Sequence, residues 1–386
     1  MSDHLKQYRS EFPITEQYAF LNHAAVSPIN RRITHAMHAY LERSMLTPTG
    51  ELIPFLVQMI EDLKLQLARL INARGSDEIV MMPNTAAGIN TAALSLPLQQ
   101  GDNVLVLDGD YPANVYPWQN LAYKGVLTKV VPQHQGGLDV NVLEQRIDKR
   151  TRVIALSSVM FATGFRNDIE TVGRMCKERD IFFVVDGIQS LGVFPMDVQA
   201  SNIDFLACGS QKWMLSAPGG GYLYVRRELL EDLIPGAYVG AGSVVDPLNY
   251  LDYNLTYPPS AQRFNLGTPN FPGAVALKAA VDMIHEVGIE QIAAHVNGLV
   301  DALINDLSER GYELAASTAP EHRSGIVVAK MDAPMDVGNR LLEAGIVSAA
   351  RGAGLRFAPH FYNTMEEVMR VGEVLGDAPL AARATA

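Results

Sequence analysis

The sequence predicts an α/β protein: a large unit built on a mainly parallel sheet covered on both faces, followed by a smaller α+β unit. Three observations carry this. Between Asn103 and Asp186 the near-continuous apolar runs NVLVLD, LTKVV, RVIALSS and IFFVVD alternate with helix-length segments, the rhythm of βα units whose strands are buried on both faces. After Tyr224 that rhythm stops, and Pro235 to Ser260 crowds Gly, Pro, Tyr and Asn into a loop-rich stretch. Beyond it, two long amphipathic patterns lead into short strands and helices. At 386 residues the chain exceeds one ordinary core. The division is placed at residue 262, giving a large domain over 18–262 and a small one over 263–386, with residues 1–17 as an arm packing on the small domain.

Taken in order, the arm runs into the apolar segment YAFL and then NHAAVSPIN, where Ser27 and Pro28 punctuate and a helix starts near Asn30. From Pro54 to Ala73, residues Phe55, Met59, Ile60, Leu63, Leu67, Leu70 and Ile71 share one side of a 3.6-residue period, which predicts a long amphipathic helix. EIVMM reads as a strand. Asn84 or Thr85 is a fair N-cap for a helix that opens among small residues. Further helices are expected near Trp118, over Val140 to Ile147 and over Asp168 to Lys177, with DFLACG and GYLYV as additional strands. The small unit reads as helices over Ala274 to Glu286 and Ile289 to Glu309, strand GIVVAK, a helix ending at Ala344, strands in GIVSAA and LRFAP, and a helix from Thr364. The C-terminal tail, APLAARATA included, is expected to fray.

Bulk properties exclude several classes. A formal charge of -11 and no Lys/Arg run argue against a nucleic-acid or anionic-membrane partner. Neither of the two cysteines, Cys176 and Cys208, belongs to a cluster with metal-ligand spacing, so no metal is expected. The polar N-terminus and the absence of any long apolar run make the cytoplasm the expected address.

The residues that carry chemistry follow two strands. Asp186 closes IFFVVD, Lys212 follows DFLACG, and a triple-glycine turn follows the lysine. This is what a pyridoxal phosphate enzyme needs: a lysine to hold the cofactor as a Schiff base, and a carboxylate that stays ionised and keeps the pyridine nitrogen protonated. Burial favours the neutral amine such a lysine requires. A solvated surface lysine and a helix-capping aspartate are the plainer alternatives. The small residues after Asn84 let main-chain N–H groups close on an anion such as phosphate, although an ordinary capped helix would look the same.

The segments NTAAGIN, VVDGIQS, GSQKW, FNLGTPN and LRFAPHFYNT, in this order, resemble the class V aminotransferase family. That family of fold type I pyridoxal phosphate enzymes includes cysteine desulfurases, C–S lyases, kynureninases and the isopenicillin N epimerase type. The resemblance spans roughly residues 18 to 375 and implies a three-layer α/β/α domain with a mainly parallel seven-stranded sheet. It implies that Lys212 carries the cofactor and then moves the Cα proton, that Asp186 faces the pyridine nitrogen, and that Gln189 reaches the phenolic oxygen. Tyr111 takes the position of the ring that stacks on the cofactor. The phosphate is expected on the main chain of Thr85, Ala86 and Ala87, with the Ser210 hydroxyl nearby. Gly267 and Thr268 match a pair that reaches the neighbouring subunit's phosphate, which implies a homodimer with shared active sites. Arg356 matches the arginine that binds the substrate α-carboxylate, while His23, Ala25 and Asn114 fall on the substrate side. Desulfurase relatives carry serine where Gly209 stands and histidine where Gln211 stands. Arg351 is read first as a structural ion pair and second as a contact to the substrate side chain.

Cysteine desulfurases also need a cysteine on a loop some fifteen residues before the carboxylate arginine, and Asn339 to Leu355 contains none. The expected activity is therefore that of an aminotransferase or a cysteine-type C–S β-lyase acting on a small α-amino acid. An epimerase, or a desulfurase-like protein lacking the loop cysteine, is the alternative. A nucleotide-binding oxidoreductase fails for want of a GxGxxG turn after an early strand. A non-catalytic scaffold would be expected to have lost Lys212 or Asp186.

Overall fold

The computed structural model describes residues 3–236, 238–352 and 354–379. The chain begins with helix α1 (Asp3–Arg9), strand β1 (Ala19–Phe20) and the helices α2 (Arg31–Leu46) and α3 (Thr49–Leu70). The large sheet is then laid down through β2 (Ile79–Met81), α4 (Thr85–Ser95), β3 (Asn103–Leu107), α5 (Tyr116–Asn120), β4 (Leu127–Val131), α6 (Val140–Arg146) and β5 (Thr151–Ser157). It continues with α7 (Ile169–Glu178), β6 (Phe182–Asp186), β7 (Phe205–Gly209) and β8 (Gly221–Val225). The C-terminal part comprises α8 (Phe271–Val287), α9 (Ile289–Glu309), β9 (Val327–Lys330), α10 (Pro334–Glu343), β10 (Ile346–Val347), β11 (Ala349–Arg351), β12 (Gly354–Phe357) and α11 (Met365–Leu375).

Seven strands form the main sheet in the order β2-β8-β7-β6-β5-β3-β4. The strands from β7 to β4 are parallel, while β8 runs antiparallel to both β7 and β2. Alternation along each strand sorts the side chains into two layers. Val104, Val106, Val184 and Ala207 face a core shared with Ile89 of α4 and Trp118 of α5; Leu105, Leu107, Val185 and Leu206 face the core shared with α3 and α7. This is the expected three-layer arrangement. It brings the carboxyl ends of β3, β5, β6 and β7 to one edge, where ligands of open α/β sheets collect.

The C-terminal part carries a three-stranded antiparallel sheet, β11-β12-β9, with α9 and α11 packed together beside it. The arm lies on this part: Arg9 pairs with Glu367 at 2.6 Å, and the Phe12 ring stacks on Tyr362 with centroids 3.8 Å apart. β1 joins it too, pairing in parallel with β10 through Ala19 and Ile346. None of the described helices is long and apolar enough to cross a membrane.

Two local expectations change. α3 starts at Thr49 rather than at Pro54, and the proline lies inside the helix, where it forgoes one i→i−4 hydrogen bond. Its buried face runs through Leu56, Ile60, Leu63 and Leu67, so Phe55 points outward under the Arg43 guanidinium, 3.8 Å from its ring centroid. The expected fray falls mostly on residues 380–386, outside the described residues. Before it, Ala378 is buried and its N–H donates to the Arg310 carbonyl, so this part of the tail is docked.

Candidate active site

The site assembles where those parallel strands end. β6 delivers Asp186, which is fully buried; its Oδ1 accepts a hydrogen bond from the Ile188 N–H at 2.9 Å. Among the described residues, Oδ2 takes none. Burial raises the Asp186 pKa to about 7; the Ile188 N–H and Lys212 pull it down, while Asp110 pushes it up. A carboxylate held this way has room and need for a cationic donor.

β7 leads to Lys212. Its Nζ makes no hydrogen bond among the described residues and sits 5.5 Å from the Tyr111 ring centroid. Burial lowers its pKa to about 8 against the pull of Asp186, and Arg356 and Arg351 lower it further. The turn after it is fixed by the N–H of Leu215, which donates to the Lys212 carbonyl at 2.9 Å. Leu215 holds a left-handed φ of 58°, a conformation that costs about 1–2 kcal/mol for a side-chain-bearing residue.

Tyr111 follows β3 and packs edge-on against Phe161, with ring centroids 5.2 Å apart. Beneath it lies Asp110, which the sequence reading missed although it stands next to Tyr111 in DGDYPAN. Asp110 is buried and accepts bonds from the Ser157 N–H and hydroxyl, the Tyr111 N–H and the Asn114 amide. Asn114 is therefore a brace for Asp110, and its own Oδ1 is buried without a partner.

Arg356, on β12, is 1% exposed. Its Nη1 donates to the Phe161 carbonyl at 3.0 Å, its Nη2 makes a long contact with Asn22 Oδ1 at 3.5 Å, and its Nε has no partner. No carboxylate pairs with it among the described residues. Burial, with Arg351 nearby, lowers its pKa to about 10. An unpaired buried guanidinium is expensive, and an incoming carboxylate would relieve that cost through two parallel hydrogen bonds. Arg356→Leu should weaken amino-acid binding by about 100-fold, since charge-assisted bonds of this kind contribute about 1.5–3 kcal/mol. The melting temperature of the apoprotein should not fall, because relief of the unpaired buried charge offsets loss of the bond to the Phe161 carbonyl. Absorption titration and calorimetric melting check the two arms.

Several expected contacts are already occupied by protein. α4 is capped by Asn84, whose Oδ1 accepts from the Ala87 N–H at 2.9 Å, so Ala87 has no donor left for a phosphate. The main-chain N–H groups of Thr85 and Ala86 remain open among the described residues. Thr85 Oγ1 accepts from the Gly209 N–H at 2.8 Å and ties the start of α4 to the end of β7. The helix can come this close because Gly88 has no Cβ; one built there would lie 2.8 Å from Ala207 Cβ. The Ser210 hydroxyl is held by the carbonyls of Ala217 and Gly220, bracing the glycine turn instead of facing an anion. Gln189 accepts from Trp213 Nε1 at 2.9 Å and donates to the Ala24 carbonyl at 3.1 Å, leaving one amide N–H uncommitted.

His23 has no free nitrogen. Its Nδ1 donates to the Ala358 carbonyl at 2.7 Å and its Nε2 accepts from the Tyr362 hydroxyl at 2.7 Å. Burial, helped by His360, keeps it neutral. Its place is a structural joint between the loop of residues 22–25 and the C-terminal part; Ala25 lies half-buried on that loop. Arg351 forms no ion pair among the described residues, which corrects the first reading of it. Gly267 and Thr268 line a cavity of about 350 Å³ together with Ala87, Thr91 and Gly220, a lining that does not include Lys212.

Comparison with known proteins places the fold and the family. The family model described as aminotransferase class-V matches residues 19–372. An uncharacterized aminotransferase of Bacillus subtilis is 28% identical, with 95% of this chain and 96% of that protein covered. A probable cysteine desulfurase of Methanothermobacter thermautotrophicus is 30% identical, with 95% of this chain and 96% of that protein covered. The apo structure of the cysteine desulfurase from Thermococcus onnurineus NA1 superposes with a TM-score of 0.87 at 26% identity, covering 96% of each chain. The sheet and the matches together define the class, an enzyme of the fold type I kind whose cofactor is pyridoxal 5'-phosphate. The chain belongs to the class V aminotransferase family.

Proposed function

We propose that this enzyme removes the Cα proton of a small α-amino acid and then either transfers its amino group or eliminates a cysteine-type sulfur group from Cβ. The observation that carries the reading is that Lys212 and the buried, carboxylate-free Arg356 meet one pair of rings: Lys212 Nζ lies 5.5 Å from the centroid of Tyr111, which packs on Phe161, whose carbonyl accepts from Arg356 Nη1. When bound, pyridoxal phosphate supplies an electron-poor ring that makes the Cα proton acidic. Arg356 fixes the substrate carboxylate and so orients the Cα–H bond. Lys212, whose amine burial brings closer to neutrality with a pKa of about 8, takes and returns the proton. Asp186 would hold positive charge at the ring nitrogen, Tyr111 would cover the ring face, and the N–H groups of Thr85 and Ala86 at the positive end of α4 would hold the phosphate.

Both cysteines, Cys176 and Cys208, are buried, and burial raises their thiol pKa values far above neutrality. Neither offers the accessible thiolate that persulfide formation requires. This favours transamination or β-elimination over desulfuration. The deciding experiment incubates the cofactor-loaded protein with L-cystine and with small amino acids, with and without an added keto acid. Pyruvate and ammonia without acceptor identify the lyase; new keto acid only with acceptor identifies the aminotransferase. Product in neither case contradicts the reading.

We also infer a homodimer. Leu248, Tyr250, Leu251 and Tyr253 are exposed on the loop that precedes Gly267 and Thr268, more apolar surface than an isolated chain usually leaves in water. Sedimentation of wild type as a monomer at micromolar concentration would contradict this.

A further inference from the structure

Two arginines share one face of the β11–β12 hairpin. Ala349 pairs with Arg356 and Arg351 pairs with Gly354. Side chains alternate along each strand, so residues 349, 351, 354 and 356 project to the same side. Arg351 is thus the diagonal neighbour of Arg356, about 7–8 Å away along the backbone and within reach of so long a side chain. Its charge is felt at both Arg356 and the Lys212 amine.

Among the described residues, none forms an ion pair with this group. Arg351 Nη1 donates only to the Ala350 carbonyl at 2.8 Å, and no carboxylate pairs with either arginine among the described residues. Asp186, the carboxylate that acts on Lys212, forms no ion pair with either arginine among the described residues. One amino-acid carboxylate satisfies Arg356 through two hydrogen bonds and leaves Arg351 without an anion.

We propose that Arg351 contacts a second acid group on the substrate, so that the site selects α-amino acids with a short acidic side chain over neutral ones. This rests on reading the Lys212–Arg356 pocket as an amino-acid site, and it names the chemistry of that substrate's side chain. The guanidinium reaches the distal carboxylate from the hairpin while Arg356 holds the α-carboxylate. A side chain ending in an amide has the same shape and offers Arg351 only a neutral acceptor.

The cofactor-loaded protein is titrated with L-aspartate, L-asparagine, L-glutamate and L-glutamine, and binding is read from the change in visible absorption. At least one acid should bind about 10-fold or more tightly than its amide at low salt, as expected for a charge-assisted bond at a partly exposed site. That ratio should fall to about 1 in Arg351→Met and survive in part in Arg351→Lys. A solvated surface arginine would give a ratio near 1 in wild type, and that result overturns the assignment, as does a ratio that persists in Arg351→Met. If the amino acids shift the absorption without acidic preference, only the role of Arg351 falls. If none of them shifts it, the pocket reading falls and takes the assignment with it.

Discussion

Replacing Lys212 by alanine should lower turnover by about 10³-fold or more, with the cofactor then removable by simple gel filtration. General acid–base catalysis by a positioned side chain alone is worth about 10²–10⁴-fold, and this amine also anchors the cofactor. Arg356 cannot act as the base in its place, because a guanidinium with a pKa of about 10 stays protonated near neutrality. The variant should fold, since it removes a poorly solvated charge rather than a contact, and added methylamine should restore part of the rate. Keto-acid formation and absorbance after gel filtration are the measurements. A variant that keeps a tenth of wild-type activity would contradict the role.

Asp186→Asn should lower turnover by about 10²–10³-fold, the range seen when one preorganised electrostatic group is removed. An amide can neither carry the charge nor accept the ring proton as strongly. A second effect of the same substitution has the opposite sign. In the apoprotein the folded pKa of Asp186 is about 7, raised by burial above its ordinary value of 3.8. Between those values the folded state binds the extra proton, so the stability this group contributes is lost as pH rises through about 7. Apo Asp186→Asn carries no such group, so its melting temperature should gain on wild type as pH goes from 4 to 8. The holoprotein should lack this gain, because the cofactor cation compensates the carboxylate. Calorimetric scans at several pH values separate the two. An apo difference independent of pH would contradict the buried, uncompensated carboxylate.

Much of the fold was legible because a parallel strand covered on both faces leaves a nearly unbroken apolar run, as β3, β5 and β6 do. The edge strand β2 and its antiparallel neighbour β8 read as strands, but nothing in their composition gives their direction. The lysine, the carboxylate and Arg356 were legible as residue types at strand ends. Their hydrogen-bond occupancy was not: Ala87, Ser210 and His23 are each the right kind of residue, yet each is already bonded within the protein. Periodicity reports which face a residue takes and is silent on the partner it meets. Asp110 was overlooked for the same reason, since two of its four bonds reach across the chain to Ser157. Arg351 shows the converse. Its sequence setting allowed an ion pair that the hairpin does not provide.

The most direct test is chemical. The cofactor-loaded protein, reduced with sodium borohydride and digested, should yield one phosphopyridoxyl-labelled peptide by mass spectrometry, carrying the label on Lys212, with absorbance near 420 nm lost in proportion to the label. Label on another lysine, or no stable label in a protein saturated with cofactor, would contradict the placement of the chemistry at the ends of β6 and β7.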